Sequence, residues 1–420
     1  MNSTAPQVDK QQERARECPI ATLVPCADHP ALSVVVPAYN CPDHVRFCLS
    51  RLANSKFRNA EVIVIDDAST DETADVAKQF GARVIRMEQN AGPGSARNRA
   101  VELAHGELVF FIDADVGVHP DTLGAVVQAF EEDPGIDALF GSYDESPAAP
   151  NLLSQYRNLL HHWTHQQAQE NATTFWTGCG AARRSVFLLH GGFDNELYVR
   201  PSIEDIEFGM RLSQAGHRIH IKKNVQVTHL KCWRMWSMIR TDVRDRAIPW
   251  AQLMYKQGAI GNDLNTKGSQ RISALFACTS TGVLIIGSFF APLLALLASS
   301  ILILILCVDS WTMDDARSHL VHGIVAAACI SLIAWIIVLA AEQRDLLLWL
   351  LLIIAALLAM IVVINRGFYG LLLRVNGPIY AMLAVPLHAS YFAYGSGAFA
   401  LTFSYCRLRG SLSAKTEAPP

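Results

Sequence analysis

The feature that most constrains this chain is a long uncharged segment in its C-terminal half. Residues 272–308 contain no Asp, Glu, Lys or Arg. At about 1.5 Å per residue a single helix of that length would exceed ~50 Å, whereas the hydrocarbon core of a bilayer is about 30 Å thick. Pro292 lies near the middle of the segment and predicts a helical hairpin with a tight turn. Uncharged runs this long are typical of membrane spans rather than of buried helices in soluble proteins.

Further apolar segments extend this pattern and predict a helical transmembrane domain of about four to five spans. These segments are 319–341, 346–364 and 378–405, the last of which Pro386 is expected to break. The basic residues Lys267 and Arg271 precede the first span, and Arg407, Arg409 and Lys415 follow the last. Basic residues favour the cytoplasmic side, so both ends of the membrane region are expected there. Five full spans would place the two ends on opposite sides of the membrane. Either the first hairpin contains an interfacial piece, or the last segment is re-entrant.

The first half of the chain alternates strand-like and helix-like segments. The candidate strands are 32–40, 62–70, 82–87 and 108–113, with candidate helices at 43–54, 71–80 and 95–104. Such alternation predicts a Rossmann-like α/β domain with a mostly parallel sheet and helices on both faces. The carboxyl ends of parallel strands share one edge of the sheet, where ligands bind. Polar residues follow three of these strands, and we expect them to meet at that edge.

The last candidate strand runs directly into an Asp-x-Asp pair, Asp113 and Asp115. Residues two apart in a strand point to the same side, so the pattern predicts that both carboxylates face one site. Hard oxygen ligands suit Mg²⁺ or Mn²⁺ carrying a diphosphate. The alternative is a loop that happens to contain two acids, because the pair is a weak motif by itself.

Composition narrows the class of protein further. The net charge is -3 and the pI is about 6.5, which excludes the strongly basic domain of a nucleic-acid binder. Residues 1–30 are polar and lack the apolar core of a signal peptide, so we expect a loose tail. None of the ten cysteines forms a Cys-x-x-Cys pair, which favours reduced thiols over zinc ligands.

Five ordered blocks resemble glycosyltransferase family 2, whose catalytic domain has the GT-A fold. They are SVVVPAYN (33–40), VIVIDDASTDET (62–73), the segment 90–115, GCGAARRSVFLLHGGFD (178–194) and EDIEFGMRLSQAGHRI (204–219). The apolar region and NRGFYGLLLR (365–374) resemble membrane-bound bacterial members. The resulting division is a tail (1–30), a GT-A domain (31–230), an interfacial amphipathic segment (231–271), transmembrane helices (272–406) and a C-terminal tail (407–420).

The resemblance implies a site for a nucleotide-sugar donor, UDP- or GDP-linked. The residues that it assigns to this site are Pro37, Ala38, Tyr39, Asp66, Asp67, Arg97 and Asp113. Two alternatives stay open on the residues alone. Asp67 lies where a turn residue could cap the following helix. Tyr39 could be an ordinary packing residue with no contact to the nucleotide.

The resemblance also implies a metal site and a catalytic base. Asp113 and Asp115 would bind Mg²⁺ or Mn²⁺, with His229 either as a further ligand or as a structural hydrogen-bonding residue. Inversion at the sugar needs a base for the acceptor hydroxyl, and the resemblance gives that role to Asp205, with Glu204 as the alternative. Both acids also suit the first turn of a helix, which we predict over 204–215.

On the acceptor side the resemblance points to two groups of residues. These are Trp176, Gly178, Cys179 and Gly180 in the catalytic domain, and Arg246 and Trp250 in the stretch 231–256. That stretch interleaves basic and Trp residues, which fits a helix at a membrane interface. Processive members of the family carry Gln-x-x-Arg-Trp where this chain has Arg246-Ala-Ile-Pro-Trp250, a departure that argues against long-polymer synthesis.

The sequence therefore predicts an inverting glycosyltransferase of the inner (plasma) membrane, multi-pass, with a cytoplasmic catalytic domain. It would transfer a sugar to a lipid or lipid-linked acceptor in cell-envelope glycan or glycolipid biosynthesis, and membrane lipids but no nucleic acid would be partners. The alternatives are a processive polysaccharide synthase, a nucleotidyltransferase on a related sheet, and a nucleotide-binding transporter. Transport is the weakest of these, because the long spans lack the charged residues that transporters place in the membrane.

Overall fold

The structure is a computed structural model that describes residues 22–23, 29–257, 267–311, 325, 327–333 and 344–416. Most of the predicted tail 1–30, most of the third predicted span (319–341) and the last residues of the C-terminal tail lie outside the described residues. The chain divides into two compact units. One contains residues 7–149 and 158–231, which we call the sheet unit. The other, which we call the helical unit, contains residues 150–157 and 232–420.

The sheet unit is built on a mixed sheet that has nine strands among the described residues. The strands are β1 (Leu32–Ala38), β2 (Ala60–Asp66), β3 (Arg83–Arg86), β4 (Leu108–Ile112), β5 (Val116–Val118), β6 (Ala138–Tyr143), β7 (Asn171–Ala172), β8 (Cys179–Arg183) and β9 (Ile219–His229). Their order is β3-β2-β1-β4-β8-β6-β9-β5, with β7 paired to β9. The flanking helices are Pro42–Ala53, Thr73–Gln79, Gly92–Leu103, Thr122–Glu132, Arg184–Leu189 and Glu204–Gln214, and Leu152–Gln166 contributes to both units.

The first four strands follow the predicted parallel pattern. β1 pairs in parallel with both β2 and β4, and β2 pairs in parallel with β3. Every residue of β4 is buried, as expected for an apolar run covered on both faces. The apolar residues on one face of these strands, such as Val34 and Phe110, pack with Val45, Leu49 and Leu52 of the helix Pro42–Ala53 in one hydrophobic core.

In the second half of the sheet β6 and β9 pair in parallel, but the other pairings depart from the predicted parallel arrangement. β8 pairs antiparallel with β4 and with β6, and β5 and β7 pair antiparallel with β9. The sheet is therefore mixed rather than mostly parallel. An apolar run shows that a strand is buried but carries no information about the direction of its neighbours, so the sequence pattern could not reveal these reversals.

The helical unit consists of successive helices, which confirm one predicted break and contradict another. The elements are Met235–Arg240, a π-helix at Thr241–Ala247, Ile248–Gln257, Gly268–Phe290, Pro292–Trp311, Arg344–Ile364, Arg366–Asn376 and Pro378–Thr416. The predicted hairpin turn is confirmed, since one helix ends at Phe290 and the next begins at Pro292. The predicted break at Pro386 is wrong, because Pro378–Thr416 is one continuous helix. Proline removes a backbone hydrogen bond, but the remaining bonds on either side keep this helix intact.

Two of the described helices, Gly268–Phe290 and Asp345–Ile364, are long and apolar enough to cross a membrane by length and composition. Leu293–Asp309 is apolar but shorter. These two helices give weaker support for a membrane domain than the four to five spans that the long uncharged segments predict.

Candidate active site

The loops that follow β1 and β2 are joined by hydrogen bonds at one edge of the sheet. The backbone N–H of Asn40 donates to Ser69 Oγ at 2.9 Å, and the N–H of Thr70 donates to Asn40 Oδ1 at 2.8 Å. Asn40 adopts a positive φ of 47°, a conformation that Asn tolerates better than most residues. Before it, Pro37 is half-buried, Ala38 is buried, and Tyr39 is 49% exposed. The exposure of Tyr39 argues against the alternative that it is an ordinary packing residue.

The Asp67 side chain is buried and anchors the loop that leads into the helix Gly92–Leu103. One carboxylate oxygen accepts the N–H of Ala91 and the other accepts the N–H of Gly92, each at 2.9 Å. Asp67 is therefore not the cap of the helix that follows it, since Asp71 accepts the N–H of Thr73 there. Recognition of the nucleotide base by Asp67 stays a prediction.

The neighbouring Asp66 side chain is fully buried. It accepts the N–H of Ser69 at 3.0 Å and lies 3.5 Å from Arg86 Nε. Asp66 thus holds the shape of the loop after β2, which is a structural role compatible with the predicted one.

Arg97 connects the two acidic motifs of the sequence. The side chain is buried, its Nη2 lies 2.5 Å from Asp113 Oδ1, and its Nη1 lies 3.6 Å from Glu204 Oε1. Its Nε and Nη1 have no hydrogen-bond partner among the described residues. Nη1 is still within ion-pair distance of Glu204, so Nε is the guanidinium nitrogen with neither a hydrogen-bond nor an ion-pair partner among the described residues. A guanidinium of this kind is suited to bind an anion such as a phosphate.

Asp113 and Asp115 lie beyond the end of β4, which stops at Ile112. Residues 113–115 form a turn, closed by the N–H of Val116 donating to the carbonyl of Asp113 at 3.1 Å. The argument from strand alternation is therefore wrong for this pair, because neither acid is in the strand. The two carboxylates have different partners, namely Arg97 for Asp113 and His229 for Asp115.

Asp115 and His229 are two predicted metal ligands that the structure places next to each other in the sheet unit. Asp115 Oδ2 lies 3.5 Å from His229 Nε2, at the end of β9. Burial by itself would raise the pKa of the Asp115 carboxyl, but the nearby His229, with Lys231 and His44, holds that pKa well below its usual range. Mg²⁺ is typically held by one or two carboxylates when phosphate oxygens and water complete the shell, and Asp115 supplies one carboxylate with His229 beside it.

The pair fits that requirement, whereas a cage made by the protein alone is not seen. No group of three or more His, Cys, Asp or Glu residues that could hold a metal ion occurs in the described part of the chain. The Asp113 side chain is 37% exposed and contacts Arg97, and its role as a metal ligand stays a prediction.

Glu204 and Asp205 begin the helix Glu204–Gln214, as predicted within one residue. Glu204 is buried and accepts the N–H of Ser202 at 2.8 Å. Asp205 Oδ2 accepts the N–H and the hydroxyl of Thr177 at 3.0 and 3.2 Å. Burial raises the pKa of both carboxyls, against the lowering effect of Arg97 on each. A carboxylate whose pKa is raised by its surroundings is a stronger proton acceptor.

The segment Trp176–Gly180 is packed against the site by aromatic contacts. The Trp176 ring lies 4.9 Å from the Tyr143 ring and 4.5 Å from the His161 ring, centroid to centroid. Glycine is needed on either side of Cys179. A Cβ at Gly178 would lie 2.4 Å from the Trp176 ring, and one at Gly180 would lie 2.2 Å from the Trp176 carbonyl oxygen. Cys179 itself is fully buried in the core, so its side chain does not reach the surface.

The remaining predicted acceptor residues, Arg246 and Trp250, belong to the helical unit. Arg246 Nη1 lies 3.2 Å from the buried carboxylate of Asp242. Arg157 contacts the same carboxylate at 2.5 Å, and the Tyr394 hydroxyl donates to it at 2.8 Å. Trp250 is half-buried, and its Nε1 has no hydrogen-bond partner among the described residues.

Sequence reasoning missed three side chains that hold the site together. Thr177 binds Asp205, and Asn158 binds His229 Nδ1 at 2.7 Å. Asn98 binds both the carbonyl and the N–H of Phe193, at 2.8 and 2.9 Å. Their partners are distant in sequence, so only the position of Asn98 beside Arg97 in a resemblance block could have drawn attention to any of them.

Comparison with known proteins gives this geometry a context. The family model described as "Glycosyl transferase family 2" matches residues 33–189. An uncharacterized glycosyltransferase of Haemophilus influenzae is 27% identical over 223 residues, which are 50% of this chain and 71% of that protein. Glycosyltransferase GlyA of Streptococcus pneumoniae is 31% identical over 191 residues, which are 44% of this chain and 27% of that protein.

Other relatives match over shorter stretches. The uncharacterized glycosyltransferase YibD of Escherichia coli is 37% identical over 107 residues, so the match spans 24% of this chain and only 31% of the relative's length. Among solved structures, the mannosyltransferase PcManGT from Pyrobaculum calidifontis, in complex with GDP-Man and Mn²⁺, has a TM-score of 0.49 at 19% identity. That match covers 94% of this chain and 93% of the other.

Proposed function

We propose, from the glycosyltransferase family 2 domain that residues 33–189 form, that this protein is an inverting glycosyltransferase. It takes a sugar from a nucleoside diphosphate sugar, UDP- or GDP-linked, and transfers it to a lipid or lipid-linked acceptor of the cell envelope. The observation that carries the proposal is the Arg97 contact with both Asp113 and Glu204. Through it, the acid after β4 and the acids that begin the helix Glu204–Gln214 belong to one site within the sheet unit.

The donor would bind at the sheet edge formed by the loops after β1, β2 and β4. Tyr39 is exposed for stacking against the base, and the rigid loops held by Asp66 and Asp67 shape the pocket around it. Asp115 and His229 would hold Mg²⁺ or Mn²⁺, whose charge stabilises the departing diphosphate. The Nε–H of Arg97, which has no hydrogen-bond partner among the described residues, would donate a hydrogen bond to the same negative charge.

Asp205 would act as the general base. The acceptor hydroxyl oxygen forms a bond to the anomeric carbon while the bond from that carbon to the diphosphate oxygen breaks. The hydroxyl proton passes to the Asp205 carboxylate, and the nucleoside diphosphate leaves with the bonding electrons. Thr177 fixes the orientation of Asp205 with two hydrogen bonds, and burial raises the pKa of the carboxyl. Glu204 lies beside Arg97. We therefore assign Glu204 to holding the charge of Arg97 on the donor side of the site rather than to accepting the proton.

Apolar surface in the helical unit supports a lipid acceptor. Only 22% of the most apolar stretch of Gly268–Phe290 and 11% of that of Asp345–Ile364 is buried within the protein. Large side chains such as Phe289 and Trp349 are 81% and 65% exposed. A bilayer would cover this surface, with the catalytic domain on the cytoplasmic side of the plasma membrane.

Two further helices of this unit have the character of interfacial elements. In Arg366–Asn376 one face buries Phe368, Tyr369 and Leu372, while Arg366 and Arg374 lie in the first and last turns of the helix. Arg246 and Trp250 occupy the basic, Trp-rich segment before the first span candidate. A phosphate headgroup near such residues would be attracted by their charge.

The test is a donor screen with membranes from cells that express the full chain. Radiolabelled UDP- and GDP-sugars are supplied, and label is followed into the organic extract. We expect one discrete lipid product from one donor, absent when the membranes carry Asp205→Asn. Label that appears only in water-soluble material would refute the lipid acceptor, and a long polymer would favour the processive alternative.

A further inference from the structure

The His229 ring is held on three sides within the sheet unit. Its Nδ1 lies 2.7 Å from Asn158 Oδ1, its face is stacked on Tyr143 at 4.2 Å with 6° between the planes, and its Nε2 lies 3.5 Å from Asp115. The ring is buried, as is Asn158. Little rotation of the imidazole is possible in this setting, so the direction of Nε2 is determined before any ligand arrives.

The contact with Asn158 also selects the tautomer. An amide oxygen only accepts hydrogen bonds, so the short contact requires that Nδ1 carries the proton and donates. In the neutral ring Nε2 then has the free lone pair, which is the form that binds metals. Asp115 Oδ2 lies 3.5 Å from Nε2, so a divalent cation held by both groups takes the place of the proton that Nε2 carries in the charged ring.

The Asn158 side chain makes no other hydrogen bond in the described part of the chain. Its Nδ2 is buried without a hydrogen-bond partner there. A substitution at this position therefore removes the bond to His229 and no other hydrogen bond that the structure shows. This makes Asn158 a clean point at which to test the role of the contact.

We propose that Asn158 is a positioning residue that fixes His229 in the Nδ1-protonated tautomer and so presents Nε2, with Asp115, to a divalent metal ion. The proposal rests on the proposed function, because it takes Asp115 and His229 as the metal ligands. Partners of this kind tune the orientation and basicity of a metal-binding imidazole. Tyr143 contributes by holding the plane of the ring.

The test compares Mn²⁺ binding, with no donor present, by the full-length wild type, Asn158→Leu and Asn158→Asp. Free Mn²⁺ is measured by electron paramagnetic resonance. Asn158→Leu removes the acceptor and should raise the Mn²⁺ dissociation constant by about 10–100-fold. Asn158→Asp keeps an acceptor for the His229 Nδ1–H. Its Mn²⁺ dissociation constant should therefore stay within a few-fold of the wild-type value. Thr164→Val, on the same helix and bonded only to Leu160 in the hydrogen bonds shown, is the matched control and should leave binding unchanged.

A second readout follows the tautomer directly. The His229 signals are identified in ¹⁵N-histidine spectra as those lost in His229→Gln. Wild type and Asn158→Asp should show a protonated Nδ1 without metal, whereas Asn158→Leu should show a mixture of tautomers.

The two hypotheses fail in different ways. If Asp115→Ala and His229→Gln bind Mn²⁺ as well as wild type, the metal site of the proposed function is wrong. If those two variants lose Mn²⁺ while Asn158→Leu binds normally and keeps the tautomer, the positioning role of Asn158 is overturned alone. Equal weakening in Asn158→Asp and Asn158→Leu would also overturn it, because the acceptor would then not be the cause.

Discussion

Replacement of Arg97 by Met tests the connection between the two acidic motifs. Arg97 and Glu204 are both nearly inaccessible, with side chains 4% and 8% exposed, whereas Asp113 is 37% exposed. Removing one partner of a buried ion pair costs about 3–5 kcal/mol, because the other charge stays buried without compensation. Water still reaches Asp113, and the Glu204 contact is long at 3.6 Å. We therefore expect Arg97→Met to lower the free energy of unfolding by about 3 kcal/mol, the lower end of that range.

The assay is thermal unfolding of the full-length protein in detergent, followed by Trp fluorescence. For a domain of this size about 3 kcal/mol corresponds to a fall in Tm of roughly 6–12 °C. Arg99→Met is the matched control on the same helix. Arg99 and Glu102 are 49% and 54% exposed, and such surface pairs contribute about 0.5 kcal/mol or less, so Tm should fall by at most about 2 °C.

Two further observations would separate charge burial from lost packing. Adding Glu204→Gln to Arg97→Met should recover part of the lost Tm, since the orphaned charge is gone. Acidification should do the same. Burial raises the pKa of Glu204, and Arg97 lowers it, so the pKa of Glu204 is higher still in Arg97→Met. As the pH falls through that pKa, Glu204 becomes protonated, and the free-energy cost of its buried charge is removed. Equal losses for Arg97→Met and Arg99→Met, or no recovery in the double variant, would refute the reasoning.

Three more predictions follow from the site. Asp205→Asn should lower kcat by about 10²–10⁴-fold, while the dissociation constant for the donor stays within a few-fold of the wild-type value. In the wild type, kcat should fall on the acid side of its pH profile at a pH above the usual pKa of an Asp carboxyl, because burial raises the pKa of Asp205. Lost donor binding with normal kcat would move Asp205 to the donor site. Asp115→Ala should abolish transfer and its stimulation by Mg²⁺ or Mn²⁺ while Tm stays within a few degrees, and full activity in this variant or in EDTA would contradict the metal assignment. Gly180→Ala should lower Tm, because its Cβ would lie 2.2 Å from the Trp176 carbonyl oxygen and such overpacking costs about 1–3 kcal/mol; Gly124→Ala, with open space around its Cβ, should not lower Tm.

Much of the fold could be read from local patterns. The apolar runs that became β1, β2 and β4 and the hairpin at Pro292 were predictable, because burial and helix breaks depend on residues close together in sequence. The acids at the strand ends and at the start of Glu204–Gln214 were also predictable as candidates. Pro386 was misjudged by the same local reasoning, because the surrounding turns of a long helix tolerate one lost hydrogen bond.

What the acids do was decided by tertiary structure. Asp67 holds a loop 24 and 25 residues further along the chain, Arg97 joins Asp113 to Glu204, and Asn158 reaches His229 across 71 residues. No periodicity records such pairings, because they depend on how the sheet brings distant loops to one edge. The amino-acid sequence by itself determined which side chains could carry the chemistry. The packing of β8 antiparallel to β4, and of the helices over them, decided which of those side chains meet and which ones are left to bind a ligand.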